Sequence, residues 1–279
     1  MAATDQSEER NARSDFLGRL RSYFIFVPLI YLYTGVMGTL SLLSSFIDHD
    51  GRMQHWFART WARMILKTAR VQVQVSGLQH IDPAQPAVYA ANHLSALDIP
   101  VLYASLPTQF RILAKRELFN YPFLGWHLKR SGQIPIDHSD ARASLRSLNR
   151  ASDSLRKGMP LVIFPEGGRS ASGQLRPFMG GAFYMAIKAH APVVPIVLVG
   201  TYELLPMNSF HLRPGTVKMI VGEPIPTEGM VPREMDKLGA CVREVMAEMY
   251  YSHAKVLPPG KTAGLATQDD PLLTPDTTS

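Results

Sequence analysis

The chain has 279 residues, 46% of them hydrophobic and 19% charged, with a formal net charge of +6. That allows one sizeable domain with appendages and favours anionic partners, a lipid surface or phosphorylated substrates. No dense Lys/Arg run interleaved with stacking aromatics occurs beyond the N-terminal third, and the histidines lack Cys/His spacing beside the single Cys241, so the reading excludes nucleic acid, an internal disulfide and a metal site.

Residues 1–22 are polar and mixed in charge, and are expected to fray. From Tyr23 to Ile47 there is no charge at all, a stretch long enough to cross a bilayer as a helix. Pro28, Gly35 and Gly38 interrupt it, and basic residues flank it on both sides. Arg10, Arg13, Arg19 and Arg21 precede it, while Arg52, Arg59, Arg63, Lys67 and Arg70 follow. The positive-inside rule therefore leaves two geometries open, a full span and a helical hairpin dipping into one leaflet. The next segment, "HWFARTWARMILKTAR", sets Trp56, Trp61 and Ile65 among repeated cations. It reads as an amphipathic helix that lies on a membrane surface and also packs on the domain. Residues 1–70 thus form an N-terminal membrane-embedding and interfacial segment.

From Val71 the texture changes to short β-rich runs alternating with helical stretches. Strands are predicted at 71–75, 87–91, 110–114, 134–136, 161–164, 193–199 and 217–221. Helices are predicted near 98–106, 121–131, 140–157, 179–190 and 232–254. The alternation predicts an α/β domain over 71–255, with a largely parallel central sheet flanked by helices. Residues 256–279, rich in Pro, Thr, Asp and Gly, read as a disordered tail.

In an open α/β sheet, ligands bind beyond the carboxyl ends of the parallel strands. Four predicted strands end in chemistry-bearing pairs: Asn92-His93, Lys115-Arg116, Asp137-His138 and Pro165-Glu166. If those strands are parallel, a base, an acid and several cations converge on one edge. In "NHLSALD", five helical steps would turn His93 and Asp98 to different faces. They can meet only if His93 lies in a loop and Asp98 opens the following helix. That arrangement suits a general base and the group that orients it. In "FPEGGRS" two glycines let backbone approach an anion, and Arg169 offers a bidentate grip on phosphate.

"NHLSALD" matches the NHxxxxD signature of the glycerolipid acyltransferases, and the chain resembles that family over roughly residues 71–225. "KRELFNYPFLGWHLKRSGQIPID" looks like its second block, "FPEGGRS" its third and "VVPIVLVG" its fourth. The pattern is most similar to the bacterial 1-acyl-sn-glycerol-3-phosphate acyltransferase type, whose N-terminal helices also seat on the membrane. The resemblance implies that His93 is the general base and that Asp98 orients it. A free hydroxyl of a lysophospholipid would attack the thioester of acyl-CoA or acyl-carrier protein directly, without an acyl-enzyme and without a cofactor. It further implies a substrate-binding set of Asn92, Lys115, Arg116, Gly132, His138, Glu166, Gly167, Arg169 and Ser170. The implied acceptor is lysophosphatidic acid, and the implied location is a membrane, at the cytoplasmic face of the bacterial inner membrane.

Three positions depart from the family pattern. His138 stands where Arg is usual, Gly168 replaces the Thr of "PEGTRS", and Met179-Gly180 occupy positions where lysines are common. These changes remove polar or cationic groups near the headgroup site and leave another lysolipid, such as a lyso-ornithine lipid, as an alternative acceptor. A serine hydrolase would need a G-x-S-x-G elbow, but "GRSAS" ends in Ser172. A noncatalytic lipid-binding protein would explain the apolar segment but not the strand-end clusters.

Overall fold

A computed structural model describes residues 16–137 and 139–259. The chain opens with helix α1, Phe16–Ser44, long and apolar enough by length and composition to cross a membrane. Phe16–Arg21 are thus helical, inside the stretch expected to fray. Pro28 lacks an N–H and its ring would collide with the carbonyl four residues back, so the preceding turn widens into a π-helical one at Ser22–Phe26. A turn through Gly51, at φ +74°, reverses the chain into α2, Arg52–Thr68. The two helices lie against each other as a helical hairpin. Trp61 Nε1 donates to Thr34 Oγ1 at 3.0 Å, and Ser41 Oγ meets His127 Nδ1 at 3.1 Å. Only 11% of the most apolar window of α1 is buried, with Phe24, Tyr31 and Leu43 turned outward, as are Phe46 and Ile47 in the turn that follows. By contrast, α2 drives Ala62, Ile65 and Leu66 into the core, so it belongs to the domain as much as to the hairpin.

The sheet has seven strands: β1 Val71–Ser76, β2 Val88–Ala91, β3 Arg111–Lys115, β4 Ile134–Ile136, β5 Leu161–Ile163, β6 Val193–Val199 and β7 Gly215–Val221. Their order is β1-β7-β6-β2-β5-β3-β4. The five strands from β6 to β4 run parallel, while β7 pairs antiparallel with β6 and carries β1 parallel beside it. All seven predicted strands form, within two residues of their expected ends.

Side chains alternate across the strands and feed two cores. Tyr89, Ala91, Ile196 and Leu198 face α2 and α3, Asp98–Ser105. Val88, Ala90, Ile163 and Val197 face α5, Ala141–Arg156, α6, Tyr184–Ala189, and α8, Met235–Tyr251. Two shorter helices complete the described chain, α4 at Leu124–Arg130 and α7 at Thr201–Leu204. The run "VVPIVLV" of β6 is apolar throughout because both of its faces are covered. A residue such as Leu155, 1% exposed between α5 and the sheet, would cost about 2–5 kcal/mol on truncation to Ala.

Candidate active site

After β2 the chain leaves to the α2/α3 face, whereas after β5 it leaves to the opposite face. Such a divergence opens a crevice at the carboxyl edge of an α/β sheet. His93 enters it from the end of β2 and Glu166 from the end of β5. Because β2, β3, β4 and β5 are parallel, the described members of the four strand-end pairs, Asn92, His93, Lys115, Arg116, Asp137, Pro165 and Glu166, lie on one edge.

His93 lies in the loop, and Asp98 begins α3 in the first turn, with Pro100 two residues on. Asp98 is fully buried and its Oδ2 meets His93 Nδ1 at 2.8 Å. The same oxygen accepts the backbone N–H of Leu94 at 2.7 Å and of Ser95 at 2.8 Å. Asp98 therefore serves both as the cap of its own loop and as the orienter of the imidazole. Oδ1 is buried without a partner among the described residues, so all the hydrogen bonding concentrates on the oxygen that faces His93. With Nδ1–H donated to the carboxylate, the lone pair sits on Nε2, on a ring whose side chain is 17% exposed. The ring stacks on Phe164, centroids 4.1 Å apart and planes 23° apart. Phe164 lies inside "FPEGGRS", but its aromatic ring drew no functional reading from the sequence.

Glu166 is 3% exposed and spends both oxygens on backbone: Oε1 on His93 N–H and Oε2 on Arg176 N–H, each at 2.8 Å. Burial pushes its carboxyl up to about 7, against the opposing pull of those two donors. Ser170 N–H returns a bond to His93 C=O at 2.9 Å. The loops after β2 and β5 are thus laced together around the imidazole. Asn92 is fully buried and zips β2 to β6, with Nδ2 donating to Leu198 C=O at 3.0 Å and Oδ1 accepting Leu198 N–H at 2.7 Å. Gly167 sits at φ +67°, where a Cβ would lie 2.7 Å from Met179 Sδ. Asn92, Glu166 and the Ser170 amide thus bond to backbone or lend their own around the cleft, and Gly167 leaves room for Met179.

The cations divide. Arg169 is exposed on the loop after β5 and makes no ion pair among the described residues. Lys115 closes β3, exposed, whereas Arg116 turns toward the end of β4 and pairs with Asp137 at 3.5 Å. Two hydrogen bonds from Ser139, with Arg116 adding to them, hold the Asp137 carboxyl below its ordinary range. Gly132, from the expected substrate-binding set, lies apart from the other members. It stands before the start of β4, at the opposite edge of the sheet, where it ends α4 at φ +74° under the Arg111 guanidinium. The sequence-level spacing within the second block could not show which end of β4 the glycine occupies. His138 lies outside the described residues.

A histidine oriented by a buried carboxylate stands on the carboxyl edge, with cations on neighbouring strand ends, and together they can serve proton transfer beside an anion. The chain belongs to the Acyltransferase family, whose profile matches residues 72–199. It is similar to the 1-acyl-sn-glycerol-3-phosphate acyltransferase of Pseudomonas aeruginosa, 32% identical over 235 residues, covering 81% of this chain and 90% of that protein. It is also 32% identical to the chloroplastic 1-acyl-sn-glycerol-3-phosphate acyltransferase LPAT1 of Arabidopsis thaliana, covering 80% of this chain. The matched stretch spans 64% of that plant protein's length. Among solved structures, the 1-acyl-sn-glycerophosphate (LPA) acyltransferase PlsC of Thermotoga maritima superposes with a TM-score of 0.67 at 26% identity, covering 85% of this chain and 95% of that one.

Proposed function

We propose that the chain transfers a fatty acyl group from acyl-CoA or acyl-carrier protein to the free sn-2 hydroxyl of lysophosphatidic acid, giving phosphatidic acid. The observation that carries this reading is the 2.8 Å His93–Asp98 bond at the mouth of the cleft. In the proposed step, His93 Nε2 takes the proton from the acceptor hydroxyl as its oxygen bonds to the thioester carbonyl carbon. The tetrahedral oxyanion collapses, the C–S bond breaks, and the departing thiolate recovers the proton from the imidazolium. The thioester is already activated, so positioning and a base supply what the reaction needs, with no cofactor. Arg169 and Lys115 hold the acceptor phosphate, while Asn92, Glu166, Gly167 and Ser170 keep the walls in place.

The hairpin, with its exposed apolar face, supports a membrane setting for this reading. Residues 1–70 seat the α/β domain of 71–255 on a membrane, at the cytoplasmic face of the bacterial inner membrane, with the exposed face of α1 and Trp56 in the lipid. Full-length protein should float with lipid vesicles, and a chain lacking residues 1–47 should not. Cutting at 70 is the wrong test, because it strips Ala62, Ile65 and Leu66 from the core.

One observation favours a second reading, an acceptor less anionic than lysophosphatidic acid. A Cβ at Gly180 would collide with the Asp236 carboxylate, so a carboxylate stands where the family commonly places cationic side chains. A panel of lysolipids offered with each donor, read by product mass, decides between the two acceptors. Absence of acyl transfer to every lysolipid would overturn the proposal itself.

A further inference from the structure

Outside the His93 cleft, a second cavity of about 500 Å³ lies along the outer side of β4. Its walls come from β4, from α5 and from the segment joining β3 to β4, which includes α4. Arg116, Lys129, Arg146 and Arg150 line it, against one carboxylate, Asp137, which already takes Ser139 and Arg116. Arg146 and Arg150 stand four residues apart on α5, where like charges are mutually destabilising. The sole acidic residue within α5, Asp153, pairs with Arg156 at 3.2 Å and does not relieve them. An excess of unneutralised guanidinium groups facing one concave space is a site for a multiply phosphorylated ligand.

We propose that this cleft seats the 3′-phosphate and 5′-diphosphate of the coenzyme A head group, so that the donor in the proposed acyl transfer is acyl-CoA. The inference rests on that transfer reading for its purpose, and on three features for its content. The volume falls within the range of small-ligand pockets and is concave, whereas an acidic carrier protein would dock on an open convex face. Phe119 supplies an apolar wall beside the cations, which suits a purine. The cavity also begins at the same sheet edge as the base, since Arg116 follows β3 and Asp137 follows β4. β4 lies three strands from β2, about 14 Å at the usual strand spacing, a gap for the pantetheine arm to bridge. The two substrates then approach His93 from different sides, the donor from β4 and the acceptor from the Arg169 loop.

The test uses the full-length chain in detergent, with an Arg146→Ala/Arg150→Ala double variant and an Arg146→Lys/Arg150→Lys control. Both arginines are exposed on a helix that Ala and Lys favour, so the fold is kept. For the Ala pair, the acyl-CoA KM should rise about tenfold or more, the scale of a lost charged hydrogen bond. The KM for the same acyl chain on pantetheine, and that for lysophosphatidic acid, should stay put. Calorimetry with adenosine 3′,5′-bisphosphate should show binding to the native chain, partial binding to the Lys pair and none to the Ala pair. An unchanged acyl-CoA KM, or an equal rise for both thioesters, overturns the inference. So does a rise confined to acyl-carrier protein, which would make the face a protein-docking surface. If no lysolipid is acylated at all, the transfer reading has failed, and the calorimetric result alone still decides the cavity.

Discussion

The end of β2 and the ends of β3 and β4 share one edge of the sheet but are built in opposite ways. Around His93 the buried polar groups are tied down: Asp98 Oδ2 takes three donors, Glu166 takes two and Asn92 makes two bonds. Around Lys115, Arg116 and Arg169 the side chains are exposed, with one long ion pair among them. A proton-transfer group must hold its position to within a fraction of an ångström, because misplacement is costly in rate. A phosphate clamp gains instead from mobile, solvated cations that close on a charge arriving from outside. On the proposed function, reaction falls to the fixed side and recognition to the loose side.

The sharpest way to break this contrast is to remove the base. His93→Ala should lower turnover by ~10²–10⁴-fold with unfolding unchanged, as read by kcat and thermal melting side by side. Asp98→Asn should fall in the same range, because the imidazole loses the carboxylate charge that orients it and stabilises its protonated form; near-normal kcat in either variant would place the chemistry elsewhere.

On the fixed side a framework residue should show up in stability. Asn92→Ala leaves the Leu198 N–H and C=O buried and unmatched, about 2–5 kcal/mol for the pair, measurable as a lower denaturant midpoint. An Asn92→Ala protein of native stability would mean that the two strands do not depend on that zipper.

Glu166 links stability to pH. Its folded-state pKa of about 7 lies above its ordinary value, so the folded chain binds the proton more tightly than the unfolded one. Its contribution is therefore greatest at low pH and is lost as pH rises through 7, at up to about 1.4 kcal/mol per pH unit. His55 acts with the opposite sign. Burial, with Arg59 nearby, lowers it to about 4, so folding loses stability as pH falls from 6.5 toward 4. The two slopes oppose each other in the native protein, and Glu166→Gln should expose the His55 slope alone. A stability–pH profile that Glu166→Gln leaves unaltered would show that the carboxyl titrates as it does in water.

The smallest effect belongs to the loose side. Arg169→Ala should raise the acceptor KM about tenfold while leaving the donor KM and the melting temperature in place. Equal rises in both constants would move Arg169 from acceptor recognition into the framework.

The elements were legible in the sequence by itself, because short continuous apolar runs such as "VVPIVLV" and "LVIF" and the turn residues between them act locally. It also placed His93 and Asp98 together, since one lies in the loop that the other's helix begins, a contact five residues long. What it left undecided needed the fold. That α1 is folded back against α2 depended on the Gly51 turn and on α2 burying Ala62 and Ile65, contacts far apart in sequence. Gly132 and Lys115 share a motif block yet stand at opposite ends of the sheet, because the intervening α4 carries the chain from the end of β3 back to the start of β4. Glu166 reads as a ligand-binding acid in the sequence, and only the packing of the β2 and β5 loops turns both its oxygens onto backbone. The cavity beside β4 has no sequence signature, since its cations come from α4, α5 and the turn after β3 and meet only when those elements pack. Local patterns specify which groups are present, while the distances between groups far apart in sequence are set by the one packing that buries both faces of the sheet.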